Sequence, residues 1–312
     1  MSSSSLEKGR EVLRVNVVLQ CDHVCENCEM FFDCKDPMKW KIYRRRRMGK
    51  ALQKMKDIKN IVAVSGGKGG VGKSMVTVNL ATAFAMKGYS VGILDQDLDG
   101  STIPKMLGVQ GIKKLMMGEK GILPAEVLGM KIISLALVYP DEVITLFHEM
   151  RRGVTEQFIA NADWGSLDYL FIDLPPGTSS DACNLLQYIP NIDGTVTVTA
   201  PSEVSLLAAR RATLLSAKAG CRVLGIIENM SGYYCECGEK IDFLLTGGGE
   251  KLAKELGVPL LGRIPFDETA SKCGDEGVPF VYKCPDSPAS KSVMEIADKL
   301  KQILEDLKKE KG

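Results

Sequence analysis

The residues with the clearest chemistry form a glycine-rich segment near one quarter of the way along the chain, Gly67-Lys68-Gly69-Gly70-Val71-Gly72-Lys73-Ser74. Its spacing satisfies the pattern G-x-x-x-x-G-K-[ST]. The glycines allow successive backbone N–H groups to turn toward phosphate oxygens, and the positive end of a following helix adds to the attraction. We therefore predict that Lys73 binds the β- and γ-phosphates of a nucleotide and that Ser74 ligates Mg²⁺.

Acidic residues end two apolar segments that have the composition of buried strands. The segment Ser90–Asp95 ends in Asp95, and the segment Asp168–Asp173 ends in Asp173. Because the carboxyl ends of parallel strands face the ligand crevice, both carboxylates are expected beside the phosphate loop. An aspartate in this position holds Mg²⁺ in phosphoryl-transfer proteins, so we predict that Asp173 is a magnesium residue.

The elements that must position these groups are short apolar segments alternating with helical segments from residue 58 onward. Their apolar runs are continuous, which is typical of parallel strands buried on both faces. Repeated strand–helix units predict an α/β fold with a doubly wound, mostly parallel sheet. Besides the two segments above, the predicted strands are Ile61–Ser65, Lys131–Leu135, Gly194–Thr199, Arg222–Glu228 and Pro259–Ile264. The predicted helices are Lys73–Lys87, Val204–Ala219, Gly249–Leu256 and Ser287–Lys309.

The N-terminal part of the chain differs from the rest. It carries four of the ten cysteines and a basic stretch with Arg44–Arg47 in a row. Apolar residues from Trp40 to Ile58 fall near helical spacing, which predicts a basic amphipathic helix. This helix either packs by one face on the main domain or docks an acidic partner or a nucleic acid. We divide the chain into a Cys-rich segment, 1–57, and a nucleotide-binding domain, 58–312.

The cysteines outside the nucleotide motif are candidate metal ligands. Four of them lie within 14 residues, and a further two form a C-x-C pair: Cys21, Cys25, Cys28 and Cys34, then Cys235 and Cys237. In a chain without a secretory signal, such clusters indicate metal binding before disulfides. The N-terminal set is expected to hold a [4Fe–4S] cluster, with Zn²⁺ as the alternative. The other four are expected to be structural, with the last two in loops: Cys183, Cys221, Cys273 and Cys284.

Composition limits the classes of protein that fit. The chain has 312 residues, of which 45% are hydrophobic and 25% charged, and its net charge is +1. This balance argues against a strongly basic nucleic-acid-binding protein. No run approaches the roughly 18 apolar residues of a membrane span, and the first residues lack the apolar region of a signal peptide. We therefore expect a cytoplasmic protein with neither a membrane nor a nucleic acid as partner.

Lys68 gives the phosphate loop the form K-G-G-x-G-K-[ST]. This form resembles the deviant Walker A motif of the MinD, ParA, nitrogenase iron protein and Mrp/ApbC group of dimeric P-loop ATPases, the SIMIBI class. Three further segments resemble the Mrp/ApbC family in particular: Asp173–Thr178, Ile226–Gly232 and Gly247–Ala253. The similarity covers roughly residues 58–300. It implies ATP as the nucleotide and a homodimer in which Lys68 reaches the partner's nucleotide.

The resemblance also implies roles for individual residues. Asp97 would orient the attacking water, with Asp99 as a competing candidate, and Asp95 would lie beside the Mg²⁺. Asn229 would contact adenine. Pro265 lies in another segment that resembles the family, and we assign it to the nucleotide site.

Family members carry C-x-x-C where this chain has Cys235-Glu236-Cys237. Thiolates two residues apart in an extended chain point to opposite sides, so a tight turn is needed to aim both at one ligand. Two cysteines from each of two chains supply the four thiolates of a [4Fe–4S] cluster shared between chains, and Zn²⁺ is again the alternative. The resemblance implies a carrier or scaffold that passes iron–sulfur clusters to apoproteins under the control of ATP.

Two other functions are compatible with the nucleotide motif. A positioning ATPase of the MinD or ParA type would leave the cysteine clusters unexplained, and the last helix here ends in mixed charge without aromatic membrane anchors. A redox ATPase like the nitrogenase iron protein takes a cluster cysteine from the segment after the magnesium aspartate, where this chain has Pro175–Thr178.

Overall fold

The computed structural model describes residues 34–36, 49–142, 145–234, 240–241 and 246–311. The chain divides into two compact units, Met1–Arg46 and Arg47–Gly312. Only residues 34–36 of the first unit are described, so the architecture below is that of the second. The division of the chain into a cluster-binding segment, 1–57, and a nucleotide-binding domain stays a prediction.

The second unit is built on a large twisted sheet. Within the described residues this sheet has nine strands in the order β10-β9-β8-β1-β7-β2-β6-β5, and β11 pairs with β9. All pairs are parallel except β5 with β6 and β10 with β9. The strands are β1 (Ile58–Gly66), β2 (Val91–Asp95), β5 (Ala125–Val127), β6 (Met130–Ile133), β7 (Leu167–Asp173), β8 (Gly194–Thr199), β9 (Val223–Tyr234), β10 (Lys240–Ile241) and β11 (Leu260–Phe266), with β3 (Met116–Gly118) and β4 (Gly121–Leu123) forming a separate antiparallel pair. The predicted doubly wound, mostly parallel α/β fold is confirmed.

Helices cover both faces of the sheet. They are α1 (49–55), α2 (Lys73–Met86), α3 (Ile103–Met106), α4 (His148–Asn161), α5 (Ser180–Tyr188), α6 (Glu203–Lys218), α7 (Gly248–Leu256), α8 (Glu268–Glu276), α9 (Phe280–Lys283) and α10 (Pro288–Lys311). The predicted strands and helices all appear, with ends that differ by a few residues. The largest difference is in β9, which continues past the predicted end at Glu228 as far as Tyr234.

Alternate residues of the central strands pack into different cores. In β1, Val62 and Val64 belong to the core that contains α2, α9 and α10, whereas Ile61 and Ala63 belong to the core that contains α1, α4 and α5. The same alternation holds in β7, where Phe171 lies in the first core and Ile172 in the second. Because both faces are buried, the middle positions of these strands are apolar, which explains the continuous runs in the sequence.

Two sequence-based expectations need correction. The helical pattern from Trp40 to Ile58 ends earlier, because residues 49–55 are helical and Ile58 already begins β1; Ala51 and Met55 bury one side of this helix. Cys273 lies in α8 rather than in a loop. That helix begins where the Asp267 side chain accepts a hydrogen bond from the Thr269 N–H, and it ends at the left-handed Gly277.

No helix among the described residues is long and apolar enough to cross a membrane.

Candidate functional site

The glycine-rich loop connects β1 to α2 at the carboxyl edge of the sheet. Gly72 stands immediately before α2 with φ +81°, and Gly70 has φ +79°, a backbone region that other residues rarely adopt. Gly67 has no room for a side chain, because a Cβ there would lie 2.0 Å from the carbonyl carbon of Ala208 in α6. The glycines therefore serve two purposes: they allow the turn at the start of α2, and they allow α6 to pack against the loop.

Three side chains meet on the Asp173 carboxylate at the end of β7. Lys73 Nζ lies 2.7 Å from Asp173 Oδ2, and Ser74 Oγ donates to the same oxygen at 2.6 Å. Thr77 Oγ1 donates to Asp173 Oδ1 at 2.7 Å, so both carboxylate oxygens are engaged. Asp173 is fully buried and Lys73 is 6% exposed, so each charge is compensated by the other. The predicted phosphate lysine and the two predicted magnesium residues are thus in direct contact.

Asp95 and Asp97 lie at the end of the neighbouring strand, β2. Asp95 is fully buried and accepts hydrogen bonds from Ser134 Oγ at 2.8 Å and from the Asp97 N–H at 3.1 Å. Burial and the nearby charge of Asp173 raise the pKa of Asp95 to about 7. Asp97 Oδ2 lies 3.6 Å from Lys73 Nζ, and burial also raises the pKa of Asp97. Lys73 therefore lies close to two aspartates other than Asp95, namely Asp173 and Asp97.

Asp99 points to a different partner. It forms an ion pair with Arg151 of α4, and Arg151 Nε also lies 3.0 Å from Asp181 Oδ2 in α5. The hydrogen bond that Arg151 donates to Asp99 raises the pKa of Arg151, so the guanidinium is held as a cation between the two carboxylates. Of the two candidate residues for orienting water, Asp97 is the one beside Lys73.

Backbone hydrogen bonds join the strand ends around this site. The Gln96 N–H donates to the Asp173 carbonyl at 3.0 Å, and the Gly177 N–H donates to the Gly66 carbonyl at 2.9 Å. The segment after Asp173 is therefore bonded to the end of β1, one residue before the glycine-rich loop. A change in the position of either segment must alter the other.

Two adjoining cavities open beside the loop. The smaller, about 280 Å³, is bordered by the loop from Lys68 to Ser74 together with Asp97 and Pro176. The larger, about 360 Å³, is bordered by Gly72, by Asn229 and Pro265, and by α8. Asn229 Nδ2 also donates to the Val71 carbonyl at 2.9 Å, so this side chain touches both the loop and the larger cavity.

The remaining predicted residues fall into two groups. Lys68 is exposed at the open side of the loop and has no ion pair with any of the described residues. Cys34 is half-buried, whereas the other five predicted cluster cysteines lie outside the described residues: Cys21, Cys25, Cys28, Cys235 and Cys237. The described part of the chain contains no group of three or more His, Cys, Asp or Glu residues arranged to hold a metal ion.

Three supporting residues were missed by the sequence analysis. Thr77 is one helical turn after Lys73, so its contact with Asp173 could have been found from the i, i+4 spacing. Ser134 lies near the end of the predicted strand Lys131–Leu135 and directly after the observed β6, so the argument that placed Asp95 at the carboxyl edge applies to it as well. Arg151 has no signal in the sequence, because its partners come from two distant segments.

The fold and this arrangement of lysine, serine and aspartates define a P-loop ATPase. A sequence model of the family described as "ParA: NUBPL iron-transfer P-loop NTPase" matches residues 57–301. The chain belongs to this family.

Known proteins of similar sequence and structure agree with this assignment. The chain is 43% identical over 260 residues to an "Iron-sulfur cluster carrier protein" of Saccharolobus solfataricus, covering 82% of this chain and 88% of the relative. It is 40% identical to a protein of the same name from Methanocaldococcus jannaschii, covering 92% and 98%. A nucleotide-binding protein from Archaeoglobus fulgidus, solved in complex with ADP, superposes with TM-score 0.67 at 32% identity, covering 75% and 93%. The cell division ATPase MinD of Pyrococcus furiosus, at 22% identity and TM-score 0.58, shares the fold.

In the magnesium-free protein, Asp95 should make stability depend on pH. Its pKa is about 7 in the folded chain against 3.8 for an unperturbed aspartate, so the unfolded chain releases this proton first as the pH rises. The contribution of Asp95 to the free energy of unfolding should therefore decline from about pH 4 to about pH 7. We expect Asp95→Asn to flatten this part of the profile, measured by urea denaturation. The matched control is the exposed Asp286→Asn, and an unchanged profile in Asp95→Asn would contradict the assignment.

Proposed function

We propose that this protein is an ATP-dependent carrier of iron–sulfur clusters, in which ATP binding and hydrolysis control the holding and transfer of a [4Fe–4S] cluster. The observation that carries the proposal is the contact of Lys73 and Ser74 with Asp173 at the mouth of the glycine-rich loop, in a chain that belongs to an iron-transfer ATPase family. Relatives with 40–43% identity bear the name iron–sulfur cluster carrier protein.

Binding of ATP and Mg²⁺ exchanges the partners of these three groups. The Lys73 ammonium moves from Asp173 to the β- and γ-phosphates, and the backbone N–H groups of the loop surround the phosphate oxygens. Ser74 and Asp173 supply oxygen atoms, the ligands that Mg²⁺ prefers, and Asp95 lies beside them. Mg²⁺, when bound, neutralises charge that develops on the phosphates. Asn229 and Pro265 border the larger cavity, which we assign to the adenine and ribose.

Asp97 has the position expected of the residue that orients the attacking water. Its carboxylate lies beside Lys73 and borders the smaller cavity, whereas Asp99 is occupied by Arg151. The raised pKa of Asp97 makes it a better proton acceptor at neutral pH than an ordinary aspartate.

Lys68 fits a role in dimerisation. It is exposed on the open side of the loop, where a second copy of the chain can cover the phosphates. A lysine that reaches the partner's nucleotide makes closure of the homodimer depend on ATP.

The cysteines supply two cluster sites in this proposal. Cys21, Cys25, Cys28 and Cys34 come from one chain, so each monomer can complete the first site. Cys235 and Cys237 supply two thiolates, so the second site needs two chains. The strands on either side of that pair, β9 and β10, are paired antiparallel, with Tyr234 opposite Lys240. Zn²⁺ in place of iron at either site is the alternative that metal analysis distinguishes.

Substituting Asp97 tests the hydrolytic site. Asp97→Ala should retain ATP binding. Its rate of ATP hydrolysis should fall by roughly 100-fold, because the attacking water loses its orienting base. Asp99→Ala, the matched control two residues away, should retain hydrolysis within a few-fold. Both are measured by phosphate release and by equilibrium binding of ATP. If hydrolysis survives in Asp97→Ala and is lost in Asp99→Ala, the role belongs to Asp99.

Substituting Lys68 tests the dimer. Lys68→Ala should bind nucleotide as a monomer yet fail to close the dimer with a slowly hydrolysed ATP analogue, as followed by analytical ultracentrifugation. The exposed Lys218→Ala in α6 is the charge-matched control and should behave like the wild type. Closure of Lys68→Ala indistinguishable from that of the wild type would remove Lys68 from the interface.

Substituting the C-x-C pair tests the shared cluster. The double variant Cys235→Ser/Cys237→Ser should lose about a third of the iron and sulfide, because a dimer would hold two N-terminal clusters and one shared cluster. It should also lose transfer to an apo-ferredoxin acceptor, while the N-terminal cluster persists. Cys183→Ser, elsewhere in the fold, is the control and should retain both. Anaerobic purification with iron, sulfide and zinc analysis provides the measurement. Undiminished transfer by the double variant would make the N-terminal site the donor.

A further inference from the structure

Two of the cysteines expected to be structural are neighbours in the fold. Cys273 lies in α8, and Cys284 lies directly after α9, eleven residues later. Both are free thiols, both pack into the same hydrophobic core cluster, and they lie close enough for the charge of one to affect the other. The segment between them turns at the left-handed Gly277 and continues through α9.

The thiol pair lies behind the wall of the larger cavity. One side of that wall consists of residues from α8 and from the segment leading into α9: Ala270, Ser271, Gly274, Asp275, Val278, Pro279 and Phe280. Cys273 lies within this stretch, and Cys284 follows its end by four residues. A covalent bond between them would therefore join α8 to the end of α9 across the elements that shape the cavity.

The wall is also attached to the phosphate-binding helix. The Val281 N–H of α9 donates to Asn79 Oδ1 of α2 at 3.1 Å, and Asn79 itself borders the larger cavity. On the other side, Gly277 approaches Gly108 so closely that an added Cβ would lie 2.5 Å from the Gly108 Cα. With contacts on both sides, α8 and α9 have little room to shift without altering the cavity.

The two thiols differ in their access to solvent. Cys273 is 2% exposed, and burial, followed by the nearby Cys284, raises the pKa of the Cys273 thiol. Cys284 is half-buried, so a small oxidant in solution reaches it first. An accessible thiol next to a second, sheltered thiol is the arrangement in which a first oxidation product is resolved as a disulfide.

We propose that Cys273 and Cys284 form a reversible disulfide that weakens nucleotide binding in the larger cavity. The inference rests on the proposed function, since it takes this cavity to be the adenine and ribose site. With hydrogen peroxide as the oxidant, the Cys284 thiolate attacks one peroxide oxygen, the O–O bond breaks and a sulfenic acid forms with release of water. The Cys273 thiolate then attacks the Cys284 sulfur, the S–O bond breaks and a second water leaves. Two thiols and one peroxide thus give one disulfide and two waters.

The direction of the effect follows from the geometry. A disulfide holds its sulfur atoms about 2 Å apart, closer than any non-bonded contact between two thiols. Its formation therefore draws the end of α9 toward α8 and displaces the wall between them. Because the base and ribose need a cavity of fixed shape, this displacement lowers nucleotide affinity, and reduction of the disulfide restores it.

The bond can be identified directly in the full-length protein. Lys272 precedes Cys273 and Lys283 precedes Cys284, so trypsin separates the two cysteines into the peptides 273–283 and 284–291. After treatment with hydrogen peroxide and blocking of free thiols, these peptides should appear linked in a non-reduced digest and separate after dithiothreitol. Absence of the linked species would overturn the proposal.

The effect on binding is measured with the same samples. Affinity for a fluorescent ATP analogue should fall about five-fold or more on oxidation of the wild type and return with dithiothreitol. Cys284→Ser and the independent variant Cys273→Ala should show no such loss, whereas the control Cys183→Ser should respond like the wild type. A linked peptide without a change in affinity, or an equal loss in Cys284→Ser, would overturn the proposal while leaving the proposed function intact. Failure of the reduced wild type to bind the analogue would contradict the proposed function itself.

Discussion

The position of β1 between β7 and β8 is the constraint on which the rest of the site depends. Because β1 is parallel to both neighbours, its carboxyl end lies at the same edge as theirs, and the glycine-rich loop leaves the sheet beside Asp173. The next strand, β2, brings Asp95 and Asp97 to the same edge through its parallel pairing with β7. Lys73 is then the cation that makes this concentration of buried carboxylates tolerable.

Strand β9 connects the nucleotide site to the proposed cluster site. It carries Glu228 and Asn229 in its middle and reaches Tyr234, next to the C-x-C pair. Glu228 is fully buried and accepts hydrogen bonds from the Gly247 and Gly249 N–H groups, which fixes the start of α7. Between Asn229 and Tyr234, Met230 adopts a φ of +57°. This value is uncommon for a residue with a side chain and marks a local bend in the strand. The middle of β9, where Asn229 is proposed to contact the base, and the end of β9 next to the cysteines are therefore parts of one hydrogen-bonded strand.

The sequence predicted those features that depend on local pattern. Strand segments such as Asp168–Asp173 could be recognised because burial on both faces leaves a continuous apolar run between their ends. The loop could be recognised because its left-handed backbone positions favour glycine. Helix α8 was missed, since it is short, mostly polar and contains Gly274, and it forms because of its capping residues and its packing. The contacts of Arg151 with Asp99 and Asp181 join segments that are distant in the sequence. Such contacts depend on how helices pack, which no local pattern records.

The ion pair of Asp173 with Lys73 and its hydrogen bonds from Ser74 and Thr77 bear on which form of the nucleotide this site binds. ATP without a metal ion would draw Lys73 away from Asp173 and leave a fully buried carboxylate with only its hydroxyl donors. An unpaired buried charge of this kind costs several kcal/mol. In the proposed function, Asp173 would hold a divalent cation that arrives with the phosphates, and the charge of that cation would offset this cost. On that proposal the site would discriminate in favour of the magnesium complex, and the discrimination would arise from the protein's own buried anion rather than from contacts with the nucleotide.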